Sequence, residues 1–320
     1  MTTPGERPTV LVLRALGLGD LLTAVPALRA VARAFPDHRR VLATPGRLAP
    51  LARHTGAVDA VLPAGPLQPL PGSARGPEVA VNLHGRGPQS HRLLLSLHPG
   101  RLLAFANADV PGTEALPTWR ADEHEVERWS RMLRAFGIAA DPSDLDLDRP
   151  GLPSPIPAAG ATVIHPGAGS AARRWPAERW ARVAHRERAA GRRVVVSAGP
   201  GERRLAEDVA RGPEAPAADV FVGDEDPMPL AALVAEAGRV ASSDTGIAHL
   251  ATALGTPSVV LFGPTPPALW GPPPDRREHR VLWHGSTGDP LGDRPDPGLL
   301  RIGVDEVVRA LAELPERHAG

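Results

Sequence analysis

The sequence predicts an α/β protein built from two doubly wound parallel-sheet domains. Short apolar strands alternate with helical patterns through both halves of the 320 residues, which is typical of parallel sheets with right-handed crossovers. Each half also begins alike, with a strand at residues 9–14 or 161–165, a glycine-bearing loop and then a helix. Residues 141–160 contain five prolines and no periodicity. We therefore predict domains at 1–150 and 151–320.

Composition restricts the classes of function. The formal net charge is zero, which argues against nucleic acid as a partner. The absence of cysteine excludes disulfides and thiolate catalysis, and the histidines form no metal-ligand pattern. Neither an apolar leader at the N-terminus nor a run of about 18–20 apolar residues occurs. We expect a soluble, cytoplasmic protein without a membrane segment, for which transient membrane contact remains open.

The first glycine loop follows a buried strand and carries one acidic side chain. The run GLGD at 17–20 lacks the third glycine of a dinucleotide fingerprint, because Leu22 stands in its place; a nicotinamide cofactor is not predicted. Gly19 allows close approach of the backbone to a ligand. Asp20 is either a helix N-cap or a general base aligned on a hydroxyl. His84 and Arg86 follow the strand predicted at 79–83 and lie in a similar glycine-bearing loop.

The second glycine loop precedes two arginines. Gly167 and Ser170 follow the strand at 161–165, and Arg173 lies at the entrance of the next helix. Free backbone N–H groups, a hydroxyl and fixed positive charge suit a diphosphate, although paired arginines also occur on solvated faces. Glu202 lies at another strand end, where it either caps its helix or accepts hydrogen bonds from ribose hydroxyls.

A third polar loop, Asp244-Thr245-Gly246, joins the predicted strand at 239–243 to a helix at 247–254. The free N–H groups and positive dipole end of that helix favour an anion, and the alternative is that Asp244 only caps it. The acidic run at 224–226 resembles a metal-binding D-x-D, but Asp226 before a proline fits an N-cap. A closing helix at 304–314 is a candidate to pack back on the N-terminal domain.

Together these segments resemble glycosyltransferase family 9, the bacterial heptosyltransferase-like group. The resemblance lies in VLVLRALGLGDLLTAVPALRA, VIHPGAGSAARRWPAERWARVA, SSDTGIAHLATALGTPSVVLFGPT and the following Trp-Gly-Pro at 270–272. It implies a GT-B fold whose two Rossmann-like domains face each other across a cleft. The acceptor would bind the N-terminal domain and the nucleotide-sugar the C-terminal one. It also implies inverting, metal-independent transfer from an ADP-sugar, with no cofactor.

The resemblance also assigns roles to residues. Asp20 would be the base that deprotonates the acceptor, and Arg173, which matches a lysine of the family, would stabilise the departing diphosphate. Acceptor binding would involve His84 and Arg86. The expected donor-binding residues are Gly19, Gly167, Ser170, Glu202, Asp244, Thr245 and Gly246.

Two departures from the family pattern leave the acceptor open. Arg173 keeps the charge of the family's lysine with a different geometry, and Asn82 begins a segment where an acidic residue is expected. We therefore expect an unusual acceptor site, with a glycan or a small molecule as the acceptor. Two other functions remain: a GT-B sugar-nucleotide epimerase, and a non-catalytic nucleotide-binding scaffold. An epimerase would need a further acid–base pair, and a scaffold would need no Asp20.

Overall fold

The computed structural model describes residues 7–211, 217–285 and 287–316. The first residues of the chain, on which part of the expectation about a leader rests, lie outside these ranges. The chain divides into two units, 1–145 and 146–320, within the proline-rich segment where the sequence places its boundary.

The first unit is a five-stranded sheet in the order β3-β2-β1-β4-β5. Every pairing between these strands is parallel. The strands are β1 Thr9–Leu13, β2 Arg39–Thr44, β3 Ala60–Pro63, β4 Val79–Asn82 and β5 Arg101–Leu103. The helices are α1 Leu18–Thr23, α2 Val25–Ala34, α3 Ala49–His54, α4 Gln89–Leu95 and α5 Glu125–Ala135.

A break between α1 and α2 follows from one proline. Pro26 lies in the first turn of α2, where its missing N–H is no loss, and it could not continue α1 without removing a helical hydrogen bond. The sequence predicts either a kink or a short first turn here, and the structure shows the short turn, with Ala24 between the two helices. Asp20 is therefore carried on a separate six-residue helix.

The second unit is a six-stranded parallel sheet in the order β11-β10-β9-β6-β7-β8. The strands are β6 Thr162–His165, β7 Val194–Ala198, β8 Asp219–Val222, β9 Arg239–Ser243, β10 Ser258–Leu261 and β11 His279–Leu282. The helices are α6 Ala177–Ala189, α7 Arg203–Arg211, α8 Met228–Glu236, α9 Gly246–Ala253, α10 Pro267–Trp270, α11 Pro297–Arg301 and α12 Val304–Ala312.

Two features of this unit bear on the sequence prediction. Residues 264–297 are predicted to be irregular, yet they contain β11 and α10; β11 forms because its backbone pairs with β10, a long-range contact that local pattern does not reveal. The closing helix α12 packs in the core of the second unit, where Val307 and Leu311 join the cluster around Trp180. Its apolar stripe is buried there, and packing of this helix on the first unit stays a prediction.

Both sheets change strand order beside their first strand. In the first unit β1 lies between β2 and β4, and Leu13 pairs with Asn82. In the second unit β6 lies between β7 and β9, and His165 pairs with Ser242. The loops after β1 and β4, and those after β6 and β9, therefore leave the sheet side by side. Such switch points, at the carboxyl ends of parallel strands, are where open α/β sheets bind ligands.

Within the described ranges, no helix combines the length and apolar character that crossing a membrane requires.

The central strand of the first unit is expected to dominate that unit's stability. Leu11 on β1 is 1% exposed, so Leu11→Ala should lower the free energy of unfolding by about 2–5 kcal/mol through lost burial and a cavity. Leu67, which is 45% exposed, is the matched control, and Leu67→Ala should change it by about 0.5 kcal/mol or less. Urea titrations followed by circular dichroism measure both values. Equal effects of the two substitutions would contradict the packing described here.

Candidate functional site

Asp20 lies at the switch point of the first unit, and its carboxylate is fixed at both oxygens. Helix α1 begins at Leu18, so Asp20 is its third residue rather than its N-cap. Oδ2 accepts a hydrogen bond from the N–H of Gly17 at 3.1 Å, and Oδ1 lies 3.2 Å from the guanidinium of Arg14. The side chain is 27% exposed. A carboxylate accepts about four hydrogen bonds, so Asp20 can still receive one from a substrate hydroxyl.

Arg14 is the residue that organises this loop, and the sequence analysis did not identify it. It follows β1 directly and is 1% exposed. Its guanidinium donates to the carbonyl oxygens of Asp20, at 2.9 Å, and of Leu83. It also donates to Thr23 Oγ1 at 3.3 Å and to Glu125 Oε1 at 2.9 Å. One buried cation therefore joins the loop after β1, helix α1, the loop after β4 and helix α5.

Glu125 is the buried counter-ion of this cluster. Its carboxylate accepts hydrogen bonds from Arg14, Arg128 and the indole N–H of Trp129, the last at 2.8 Å. Burial acts to raise the pKa of Glu125, but the charges of Arg14 and Arg128 outweigh it and hold that pKa below its ordinary value. With Asp20, the cluster contains two cations and two anions, so it is balanced in charge.

His84 lies in the adjacent loop and is held as a neutral donor. The N–H of Ala15 donates to His84 Nδ1 at 3.2 Å, which leaves the ring proton on Nε2. Burial, together with the charge of Arg14, lowers the pKa of His84 to about 4. The imidazole therefore carries no charge at neutral pH and offers one N–H.

The other two residues of this loop region differ in exposure. Asn82, where an acidic residue is expected from the family pattern, is buried. Its side-chain nitrogen donates to Ser90 Oγ at 2.9 Å, and its side-chain oxygen accepts a hydrogen bond from the backbone N–H of His84 at 3.0 Å. A neutral amide suits this position because it satisfies a donor and an acceptor at once. Arg86 is exposed.

In the second unit, Arg173 joins the loop after β6 to the loop after β9. It ends a short 3₁₀ turn, and its guanidinium donates to the carbonyl oxygen of Asp244 at 3.3 Å. Its Nε lies 3.5 Å from Ser170 Oγ. The Ser170 hydroxyl itself donates to the carbonyl oxygen of Pro290 at 2.6 Å. A positive charge is thereby fixed beside the entrance of α9.

Asp244 is a buried carboxyl at that entrance. It is 5% exposed, and burial, against the opposing charge of Arg173, raises its pKa to about 6. The N-cap of α9 is Thr245 and not Asp244, so the capping interpretation of Asp244 is wrong. Among the described residues the Thr245 side chain makes no capping hydrogen bond. Backbone N–H groups at Gly246 and the next position therefore face no hydroxyl cap and remain suited to an anion.

Glu202 packs directly on Gly167. A Cβ atom at position 167 would overlap the Glu202 carboxylate, which explains the glycine by close approach rather than by an unusual backbone angle. Glu202 Oε2 also accepts the N–H of Gly199 at 3.2 Å, and Arg174 lies 3.8 Å away. Glu202 immediately precedes α7, so both of its predicted roles remain compatible with its position. Beneath this carboxylate, burial lowers the pKa of His165 against the attraction of Glu202.

In the acidic segment at 224–226, Asp226 precedes Pro227, which is the N-cap of α8, so the N-cap prediction for Asp226 is wrong. Asp226 Oδ1 accepts the N–H of Met228 at 2.9 Å, at the first residue of α8. In the part of the chain that the structure describes, histidine and acidic side chains form no group of three that could hold a metal ion. His249 packs edge-on against Trp270, with ring centroids 5.9 Å apart.

The predicted residues therefore form two groups. Asp20, Gly19 and His84 lie at the switch point of the first unit. The donor-site candidates, namely Gly167, Ser170, Arg173, Glu202, Asp244, Thr245 and Gly246, lie around the switch point of the second. Sequence reasoning missed Arg14 and Glu125, although an arginine at the end of the apolar run TVLVLR was a usable signal.

A family model described as "Glycosyltransferase family 9 (heptosyltransferase)" matches residues 115–288, more than half of the chain. The chain belongs to glycosyltransferase family 9. It is 31% identical over 112 residues to lipopolysaccharide heptosyltransferase 3 of Escherichia coli, covering 34% of this chain and 33% of the relative. It is also 31% identical over 153 residues to lipopolysaccharide heptosyltransferase 1 of Pseudomonas aeruginosa, covering 47% and 42%. The aligned stretches thus span less than half of these relatives.

Solved structures of the family share the fold. The family 9 glycosyltransferase of Veillonella parvula aligns with a TM-score of 0.76 at 18% identity, covering 98% of both chains. Escherichia coli ADP-heptose lipopolysaccharide heptosyltransferase II also has a TM-score of 0.76, at 19% identity, covering 95% of this family 9 chain and 97% of its own. An Escherichia coli heptosyltransferase solved with ADP has a TM-score of 0.70 at 20% identity, covering 95% and 99%. The predicted GT-B fold class is confirmed.

The buried Asp244 carboxyl should reduce stability at neutral pH. Its folded-state pKa of about 6 lies above its ordinary 3.8. The stability that the protonated carboxyl contributes is therefore fully present below about pH 4, and the free energy of unfolding falls as pH rises through about 6. Asp244→Asn should therefore raise the free energy of unfolding at pH 7.5, by at most about 3 kcal/mol at roughly 1.4 kcal/mol per pKa unit. Near pH 4 the two proteins should differ little.

Asp59 is the matched control with the opposite sign. Its hydrogen bond to Arg40 lowers its pKa to about 2, so its stabilisation is present above about pH 4 and lost as pH falls through about 2. Asp59→Asn should lower stability at pH 7.5, by up to about 1 kcal/mol for an exposed ion pair. Urea titrations of both variants at pH 4 and 7.5 make the comparison. Destabilisation by Asp244→Asn at pH 7.5 would show that its charge is better compensated than described.

Proposed function

We propose that this protein is an inverting, metal-independent glycosyltransferase. It moves a heptose-like sugar from an ADP-sugar to a hydroxyl of a glycan or small-molecule acceptor, and it uses the ADP-sugar as co-substrate without a further cofactor. The observation that carries the proposal is the junction at the second switch point. There, Arg173 is tied to the Asp244 carbonyl at the entrance of α9, which places a fixed cation beside free helix amides.

The donor half of the proposal follows from charge. A leaving diphosphate gains negative charge in the transition state, and preorganised donors at that point are usually the largest catalytic contribution. Arg173 would supply the cation and Gly246 a backbone N–H, while Thr245 offers a hydroxyl not used for capping. An organic cation fixed in this position can do what a divalent metal does in other transferases.

The nucleoside would be held through Glu202. A carboxylate accepts hydrogen bonds from both hydroxyls of a ribose, and Gly167 gives this one the room to lie against the loop. Its contact with the Gly199 N–H fixes one oxygen. Choice of adenine over other bases rests on the family relatives, among them the structures with ADP and with ADP-2-deoxy-2-fluoro heptose.

The acceptor half would use Asp20 as base. In the proposed step the acceptor oxygen attacks the anomeric carbon in line, its proton passes to the Asp20 carboxylate, and the bond from that carbon to the diphosphate breaks. The products are an inverted glycoside and ADP. His84, neutral and with its proton on Nε2, would donate to an acceptor oxygen, and the exposed Arg86 would add positive charge nearby. The two relatives with 31% identity are lipopolysaccharide heptosyltransferases. For this chain we propose only that the acceptor carries a hydroxyl.

Nucleotide binding is the first test. ADP, UDP, GDP and CDP are titrated in thermal-shift assays, each with and without Mg²⁺. ADP at a hundredfold excess over its Kd should stabilise the protein by about 2.7 kcal/mol, and Mg²⁺ should not change this. A shift with UDP or GDP instead would remove the ADP-sugar from the proposal, and no shift with any nucleotide would contradict both the transferase and the nucleotide-binding scaffold.

The second test separates catalysis from binding. Asp20→Asn should slow ADP release from ADP-heptose by about 10²–10⁴-fold, the usual contribution of a general base, while the thermal shift with ADP stays as in wild type. Asp37, an exposed aspartate of the same unit, is the control, and Asp37→Asn should change neither quantity. Undiminished activity of Asp20→Asn would exclude Asp20 as the base and would favour the epimerase alternative.

A further inference from the structure

Arg14 makes more contacts with Asp20 than a simple ion pair requires. Its Nε donates to the Asp20 carbonyl oxygen at 2.9 Å, and its terminal nitrogen lies 3.2 Å from Oδ1 of the same residue. The remaining oxygen, Oδ2, is held by the N–H of Gly17. Both the backbone and the side chain of Asp20 are therefore fixed by one buried side chain.

The same guanidinium also reaches the second loop of this switch point. It donates to the carbonyl oxygen of Leu83, the residue before His84. His84 is in turn held by the N–H of Ala15, the residue after Arg14. Displacing Arg14 would therefore disturb Asp20 and His84, two of the three residues to which acceptor chemistry is assigned.

Glu125 keeps the cation in place without competing fully for it. It is buried with Arg14, but it also accepts hydrogen bonds from Arg128 and Trp129. Because a second cation shares this carboxylate, Arg14 retains positive charge that is directed to the half-exposed Asp20. A charge pair with only a packing role would be complete with Glu125 alone, and would leave the Asp20 carboxylate held only by the N–H of Gly17.

We infer that Arg14, anchored by Glu125, is a positioning residue that sets the orientation of the Asp20 carboxylate for proton abstraction. The inference rests on the proposed function only in taking Asp20 as the base. Its structural content is that Arg14 holds Asp20 on Gly17, and this can be measured without any substrate.

The experiment compares wild type with Arg14→Met and Arg14→Lys in the full chain. The control is Arg239→Met. Arg239 is also buried, at 8% exposure, but it is the first residue of β9, and its guanidinium donates to the carbonyl oxygen of Leu311. Four quantities are measured: amide hydrogen exchange at Gly17 by NMR, the Kd of ADP, the KM of ADP-heptose, and the rate of ADP release from ADP-heptose with water as acceptor. Resistance to urea is recorded for each variant to identify general destabilisation.

Arg14→Met should increase exchange at Gly17 by about tenfold or more relative to amides of β2 and β3, since local opening is what exchange reports. It should slow ADP release at saturating donor by about 10²-fold, as expected for a misplaced catalytic group. The Kd of ADP and the KM of ADP-heptose should stay within about twofold, because the expected donor-binding residues other than Gly19 lie in the other unit. Arg14→Lys keeps the charge but not the planar fork, and should recover part of both losses. The control variant should lose stability without these local effects.

Exchange at Gly17 that rises no more than at other amides, in both Arg14→Lys and Arg14→Met, would overturn the inference. A loss of activity explained only by a higher KM of ADP-heptose would overturn the inference as well. If Arg14→Met does not fold, Arg14→Lys and the isosteric Glu125→Gln carry the same exchange test. Should wild type neither bind ADP nor release it from ADP-heptose, the proposed function fails, while the exchange at Gly17 still decides whether Arg14 holds Asp20.

Discussion

Parallel strand pairing is the constraint on which the rest of this structure depends. Because all strands of a parallel sheet run the same way, their carboxyl ends lie along one edge. The strand order changes direction at β1 in one sheet and at β6 in the other. At each of these points the two neighbouring loops leave the sheet with no crossover connection between them. In the first unit these loops present Asp20 and His84, and in the second they present Arg173 and Asp244. Within each unit, residues far apart in the chain are brought together by hydrogen-bonded backbone, so each group of loop residues is held by its own sheet.

The two switch points treat buried charge in opposite ways. In the first, Arg14 and Glu125 are surrounded by hydrogen-bonding partners, and opposite charges compensate each other almost completely. In the second, Asp244 is buried with little compensation, and its raised pKa records the resulting destabilisation of the charged form. Local destabilisation of this kind is characteristic of sites maintained for binding rather than for folding. A ligand that donates hydrogen bonds to Asp244 would relieve it.

The sequence allowed the main architecture to be predicted, because strand, glycine loop and helix recur with clear periodicity. The donor-site candidates followed for the same reason, since each lies directly after a predicted strand. Arg14 was missed because its partner Glu125 lies more than a hundred residues away, and no local pattern links the two. The N-cap alternative that the sequence left open for Asp20 and Asp244 does not hold, because Gly17 and Thr245 are the N-caps. It depended on the exact residue at which a helix begins, which is hard to predict from a sequence. Strand β11 formed through pairing with β10, in a segment whose prolines suggested irregular structure.

The balanced cluster of Arg14, Asp20, Glu125 and Arg128 also restricts how this family 9 chain can diverge. Replacing any one member by a neutral residue would leave an uncompensated charge in the interior of the first unit, which is among the more severe effects of a single substitution. Neutral drift at these four positions should therefore proceed by paired replacements of opposite sign. The pair Glu125 and Arg128 can persist by itself, since its charges balance, whereas Asp20 and Arg14 would be replaced together.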